Sequence, residues 1–364
     1  MLTFPFSFMK ENYISSKIYE PTDFVTEHWN VFGNNFSNLL DDPKKWSRML
    51  RNAITLGLND TLVKISNKRF LSEDNEFWHN LRDETLKDLL DDPIDNDDET
   101  MKLKNFFHET AALTSPDYVI NNVMKKICAP IGIDLEVSYK GKDKLVFCNQ
   151  HDLDDIYHSW EILSNVGDNF STTPVICEIG SGYGGLITKI KTNLKNAKCI
   201  LFDLPEVNVI QSYYLSNVFQ DAKFLGYKDY MQKGSAILKE DFDFLILPGW
   251  VCEDILLEEK VDLFINIRSF MEMPKSQIKT YFDCVHRSLR LNGIFACFNR
   301  YSKAMKVHGK EFNNYFREYP FDNNWSEIFS KSSSIQPSIH LLLVKRGEKG
   351  SKLNFREKLY KLSN

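Results

Sequence analysis

The stretch Pro174-Val-Ile-Cys-Glu178-Ile-Gly180-Ser181-Gly182-Tyr183-Gly184-Gly185-Leu-Ile187 constrains this chain more than any other. A short, mostly apolar run breaks into four glycines within six positions, and apolar residues then resume at helical spacing. That order predicts a strand, a tight turn and a helix. Glycine lacks a Cβ, so such a turn can take positive φ and let a ligand touch backbone N–H groups at the helix start. A second apolar run, Lys198-Cys-Ile-Leu-Phe202, ends at Asp203, eighteen residues beyond Gly185. Strand, glycine turn, helix and acid-tipped strand together predict a nucleoside-binding βαβ unit.

The rest of the second half repeats the alternation. A helix is expected over Glu206–Phe219, and a buried strand over Phe242–Leu247, closed by Pro248, Gly249 and Trp250. A further strand, Val261–Asn266, leads into Arg268, Ser269 and Glu272. Pro274 suits the first turn of the next helix, whose buried face is Ile278, Tyr281, Phe282, Val285 and Leu289 and whose end is Asn292-Gly293. The strand Ile294–Phe298 then runs out into Asn299 and Tyr301, and Ile339–Val344 forms a last strand. Strands alternating with helices predict an α/β fold with a mostly parallel sheet. The isolated last strand, after a polar stretch, is expected to insert antiparallel.

The first half reads differently. Residues 22–130 are helical in pattern, with Trp29, Phe32, Phe36, Leu39 and Leu40 on one face and Trp46, Met49, Leu50, Ala53 and Ile54 on the next. The acidic stretch Leu90–Glu99 lacks the spacing and glycine of a calcium loop and reads as solvated. Ile133–Cys148 predicts a β-hairpin, followed by a helix capped by Asp152 with Leu153, Ile156, Tyr157, Trp160 and Leu163 inward. Three regions follow: a helical N-terminal region over 1–150, a nucleoside-binding domain over 151–346, and a basic tail over 347–364.

Composition narrows the partners. A net charge of −5 offers no electrostatic footprint for nucleic acid. No apolar run reaches the roughly 18 residues that a membrane span needs. The apolar N-terminus has neither a basic lead nor a small-residue cleavage site, so no secretory signal is expected and the cytoplasm is the expected location. Seven cysteines, an odd number without CxxC spacing, suit buried thiols rather than disulfides or zinc. No compact ligand cluster suggests a metal.

Gly180, Gly182 and Gly185 satisfy GxGxxG, which keeps an NAD(P)-dependent oxidoreductase as an alternative. Glu178 argues against it, because a pyrophosphate disfavours a carboxylate two residues before the turn, whereas an ammonium and a sulfonium favour one. Glu178-Ile-Gly180-Ser-Gly182-Tyr-Gly184 resembles the first motif of class I S-adenosylmethionine-dependent methyltransferases. Phe202-Asp203-Leu204-Pro205 resembles the acid loop of small-molecule O-methyltransferases. Asp262-Leu-Phe-Ile-Asn266-Ile-Arg268-Ser269-Phe-Met-Glu272 is similar to the fourth-strand segment of bacterial sugar O-methyltransferases, enzymes associated with polysaccharide biosynthesis.

The resemblance covers residues 150–346 and implies a Rossmann-like class I methyltransferase sheet. It implies S-adenosyl-L-methionine as cofactor, with Gly180, Ser181, Gly182, Tyr183 and Gly184 lining the methionine part and Glu178 near its ammonium. Asp203 would accept the ribose hydroxyls. Leu204 would pack on adenine near Pro248, Gly249 and Trp250, and Asn266 would stand beside the methyl-donor end. The implied activity is transfer to a hydroxyl of a small-molecule or glycan acceptor, a nucleotide-linked sugar among the candidates. Where relatives carry a base histidine this chain has Met271-Glu272, so Glu272 is the first candidate for general base and His308 the second. Arg268, Ser269, Asn299, Tyr301 and His158 are candidate acceptor contacts. The aromatic helical preface is a candidate homodimer surface. A methyltransferase-like binding protein without turnover is the third reading.

Overall fold

The computed structural model describes residues 6–21, 97–124, 133–166, 170–307, 310–348 and 355. The aromatic faces expected over 29–54, residues 90–96 of the acidic stretch, Cys128, His308 and most of the tail lie outside them. The chain groups into two units, residues 1–31 with 161–364 and residues 32–160. The division at 160/161 falls within a helix, and the first residues group with the later unit. The reason is packing: helix α1 (Phe6–Ile18) lies against helices of the sheet unit, where Tyr13 donates to Glu206 at 3.3 Å and Asn12 Oδ1 accepts the Lys228 N–H at 2.7 Å.

In the unit of residues 32–160, α2 (Asp97–Leu113) is followed by α3 (Pro116–Asn122). Ser115 caps α3 by accepting the Tyr118 N–H at 3.1 Å, with Pro116 at the first helical position. Strands β1 (Ile133–Tyr139) and β2 (Lys142–Cys148) form the expected hairpin. Its two turn residues, Lys140 and Gly141, take φ of 51° and 74°, the hand that matches strand twist. Leu135, Val137, Val146 and Cys148 pack with Phe107, Val119, Leu153 and Ile156. Helix α4 (Gln150–Val166) is capped by Asn149, which accepts the Asp152 N–H at 2.8 Å. Asp152 is therefore not the cap; its carboxylate accepts the Met124 N–H instead.

The other unit holds β3 (Val175–Ile179), α5 (Gly185–Asn193), β4 (Lys198–Asp203), α6 (Pro205–Val218), β5 (Phe224–Gly226) and α7 (Tyr227–Lys233). It continues with β6 (Phe244–Pro248), β7 (Val261–Ile267), α8 (Lys275–Ser288), β8 (Leu289–Arg300), β9 (Ser302–Val307) and β10 (Lys310–Tyr315), then β11 (Trp325–Ser332) and β12 (Ile339–Arg346). Eight strands pair in the order β11-β12-β8-β7-β3-β4-β6-β5. β8, β7, β3, β4, β6 and β5 run parallel, and β12 lies antiparallel to both its neighbours. A mostly parallel sheet with its last strand inserted antiparallel is the α/β architecture expected. The helix before Asn292 stops earlier than expected, because Leu289 already pairs with Val261 and the chain enters β8 there.

Strand alternation sorts the sheet's residues. Cys177, Ile179, Ile200, Phe202, Leu245 and Leu247 join one core cluster, and Glu178 turns to the opposite face. From β3 the chain moves outward through β4 to β5 and β6, then returns to β7 on the other side of β3. The carboxyl end of β3 is thus the switch point, where connections leave in opposite directions and open a crevice.

Candidate functional site

The turn after β3 carries the geometry that its glycines allow. Gly180, Gly182 and Gly184 take φ of 69°, 56° and 91°. Gly180 donates its N–H to Phe202 O at 2.8 Å, tying the turn to the end of β4. A Cβ on Gly180 would stand 2.3 Å from Ser269 Oγ, so close approach and positive φ both demand glycine there. Gly184 precedes α5, whose first N–H groups lack partners within the helix and can meet an anion. Ser181 and Tyr183 are buried, the tyrosine ring edge-on to Tyr214 at 4.8 Å.

Asp203 ends β4 beside this turn. Its Oδ2 accepts the Gly182 N–H and its Oδ1 the Leu204 N–H, each at 2.8 Å. Burial pushes its carboxyl up to about 7, against the opposing pull of those two N–H groups. Leu204 is extended and half-buried, and Pro205 opens α6 behind it. Pro248 lies in register with Asp203, which sets the end of β6 and Gly249 next to the acid. Trp250 belongs to the core cluster and meets Tyr227 edge-on at 6.1 Å. Glu178 is buried two residues before the turn.

At the end of β7 the side chains expected to face a substrate are largely engaged within the protein. Asn266 is fully buried; its Nδ2 donates to Ile179 O at 2.9 Å and to Ser269 Oγ at 2.5 Å. Its Oδ1 accepts from Asn299 Nδ2 at 2.9 Å, while Asn299 Oδ1 accepts the Met271 N–H at 3.2 Å. Ser269 also donates to Ile179 O at 3.1 Å. Asn266, Ser269 and Asn299 thus form a clamp that joins β7 and β8 to the glycine turn. Arg268 supplies the bend with φ of 58°, a sparsely populated region for a residue with a Cβ.

Glu272 closes a short helical turn over Phe270–Glu272, half-buried, with Oε1 paired to Lys303 at 2.5 Å. Asn314 holds that turn by donating to Phe270 O at 2.9 Å and Met273 O at 3.2 Å. Tyr301 is turned to the β11–β12 side, bonded to Ser332 at 2.8 Å and stacked on His340 at 4.9 Å. His158 falls in the unit of residues 32–160, and His308 lies outside the described residues.

Three residues escaped the sequence reading: Lys303, Asn314 and Gln211. Gln211 alone left a signal, a polar residue on a helix that is buried along residues 205–216. Among the described residues no group of His, Cys, Asp and Glu is placed to hold a metal, and no helix is long and apolar enough to cross a membrane.

No protein-family model matches the chain, and no curated protein matches it. Remote likenesses to solved structures exist. One is phosphoethanolamine N-methyltransferase 2 of Haemonchus contortus with S-adenosyl-L-methionine, at 14% identity over 40% of this chain and 28% of that chain, TM-score 0.29. Another is a mitomycin 7-O-methyltransferase, at 12% identity over 54% of this chain and 57% of that chain, TM-score 0.33. A third is an amino pentose methyltransferase from Micromonospora echinaspora, at 8% identity over 52% of this chain and 89% of that chain, TM-score 0.34. The alignment spans less than two thirds of the length of the first two. Scores this low leave the cofactor and the reaction to the site's own geometry.

Proposed function

We propose that this chain is an S-adenosylmethionine-dependent O-methyltransferase that transfers a methyl group to a hydroxyl of a sugar or glycan-precursor acceptor. One observation carries the reading: at the sheet's switch point, a positive-φ glycine turn is bonded to the acid of the next strand, Gly182 N–H to Asp203 Oδ2 at 2.8 Å. The residues present fit the cofactor. Each Asp203 oxygen holds one N–H and keeps a lone pair for one of two vicinal ribose hydroxyls. The start of α5 offers N–H groups to a carboxylate. The buried carboxylate of Glu178 suits a ligand with an ammonium and a sulfonium and opposes a pyrophosphate.

When bound, the cofactor supplies an electrophilic methyl carbon on sulfur, and the protein's part is alignment and proton removal. Holding an acceptor hydroxyl in line contributes up to about 7–11 kcal/mol in favourable cases. Glu272, on the carboxyl-end side of the sheet, takes the hydroxyl proton through its Oε2, worth about 10²–10⁴ in rate. Lys303 fixes the carboxylate's direction through Oε1, and Arg268 orients the acceptor.

Methyl transfer from labelled S-adenosylmethionine to a panel of nucleotide-linked and free sugars tests this. Wild type is expected to label at least one acceptor. Glu272→Gln is expected to lose about 10²–10⁴ in kcat while S-adenosylhomocysteine affinity holds. Stabilisation by NADH and not by S-adenosylhomocysteine would replace the reading with a dehydrogenase. Binding of S-adenosylhomocysteine without transfer to any acceptor would favour a non-catalytic binding protein.

A further inference from the structure

Helix α6 is buried along residues 205–216, so a polar side chain on it must find partners inside the protein or weaken the fold. Gln211 is fully buried. Its Nε2 donates to Ser181 Oγ at 2.5 Å and to Gly182 O at 3.0 Å. Its Oε1 is buried with no hydrogen-bond partner among the described residues. Packing volume alone does not explain such a residue, since leucine would occupy similar volume but would leave Gly182 O without this donor. The amide nitrogen does explain it. It carries two N–H groups, which match two acceptors on successive residues of the turn.

We propose that Gln211 is a positioning residue that sets the orientation of the Gly182–Tyr183 peptide in the cofactor cradle. The two polar groups of a trans peptide point in opposite directions. A Gly182 carbonyl drawn toward α6 therefore turns the Tyr183 N–H away from α6 and fixes the direction of that peptide. The Gly182 N–H is held in turn by Asp203 Oδ2 at 2.8 Å. Gly182, at φ of 56°, is thus pinned at both its backbone groups. Without those bonds a glycine would sample many orientations. The inference rests on the S-adenosylmethionine reading and adds to it the residue that shapes the cradle without touching the ligand.

Calorimetry with S-adenosylhomocysteine on wild type, Gln211→Leu and Gln211→Met tests this, beside the melting temperature of each ligand-free protein. Gln211→Leu is expected to weaken binding at least tenfold while Tm falls by only a few degrees and the protein stays folded at the assay temperature, a split that a merely structural residue does not produce. Affinity of Gln211→Leu within twofold of wild type overturns the proposal, and so does a loss of affinity that comes only with unfolding at the assay temperature. Should the leucine variant fail to fold, Gln211→Met is judged by the same two readings. A wild type that binds no S-adenosylhomocysteine sinks the cofactor reading and this inference together. A wild type that binds, with Gln211→Leu unchanged, sinks this inference alone.

Discussion

Asp262 and Asp203 are aspartates at opposite ends of one parallel sheet, and they are treated in opposite ways. Asp262, at the amino end of β7, is buried and fully engaged. Its Oδ1 accepts from Ser171 N at 3.0 Å and Arg290 Nε at 2.7 Å, and its Oδ2 from Ser171 Oγ and Val175 N, each at 2.9 Å. It fastens the segment entering β3 to the neighbouring strand. Asp203, at the carboxyl end of β4, has two backbone donors and, among the described residues, no cation, and burial drives its carboxyl up to about 7. One acid completes the fold. The other is held where its charge is costly, which under the proposed function is the place of the ribose hydroxyls.

The largest effect should come from breaking the structural tie. Asp262→Ala leaves Arg290 and two N–H groups without their acceptor and is expected to cost about 3–5 kcal/mol in urea unfolding; an unchanged midpoint would erase the contrast. Asp203→Ala should do the reverse. Losing two hydrogen bonds to a charged acceptor, at about 1.5 kcal/mol each, weakens S-adenosylhomocysteine about 100-fold in calorimetry, while stability at neutral pH does not fall.

The pH dependence sharpens the same point. Because the folded carboxyl of Asp203 lies above its ordinary value of 3.8, its stabilising contribution is full below that value and is lost as pH rises through about 7. Ligand binding runs the other way, since hydroxyl donors favour the ionised form. Affinity should rise about tenfold from pH 6 to pH 8, and Asp203→Asn should flatten the profile. A profile equally steep in the variant would assign the titration elsewhere.

An effect of similar size concerns the turn itself. Gly180→Ala must hold a Cβ at φ of 69° and against Ser269, which lies 2.3 Å away. The φ strain alone costs about 1–2 kcal/mol, so a loss of affinity of about tenfold is expected. Adding Ser269→Gly removes the clash and leaves the φ strain, so partial recovery is the expected result. Full recovery would show that positive φ matters little there.

The local elements were legible in the chain itself. The strand ending at Ile179, the glycine turn, the helix after Gly184 and the acid closing β4 all follow from side-chain periodicity and from the conformations that glycine and proline permit. These forces act over a few residues, so a linear reading sees them. The same reading named Ser269, Asn299 and Tyr301 as acceptor contacts, and it carried no sign of the bonds these residues make within the protein. Ser269 reaches Ile179 O, 90 positions away, because β7 returns to lie beside β3. Asn299 locks onto Asn266 because β8 pairs with β7. Glu272 meets Lys303 only once β9 has followed β8 out of the sheet, and Gln211 reaches the turn only because α6 packs behind it.

The stretch from Glu178 to Gly185, with Asp203 after it, determined by itself that the chain makes a βαβ unit with a glycine turn at its switch, because each residue's conformational preference is its own. Which polar atoms stay available to a ligand, and which are taken up in holding the turn, was decided by the tertiary structure. A hydrogen bond needs two groups within about 3 Å of each other, and strand order alone determines which distant groups come that close.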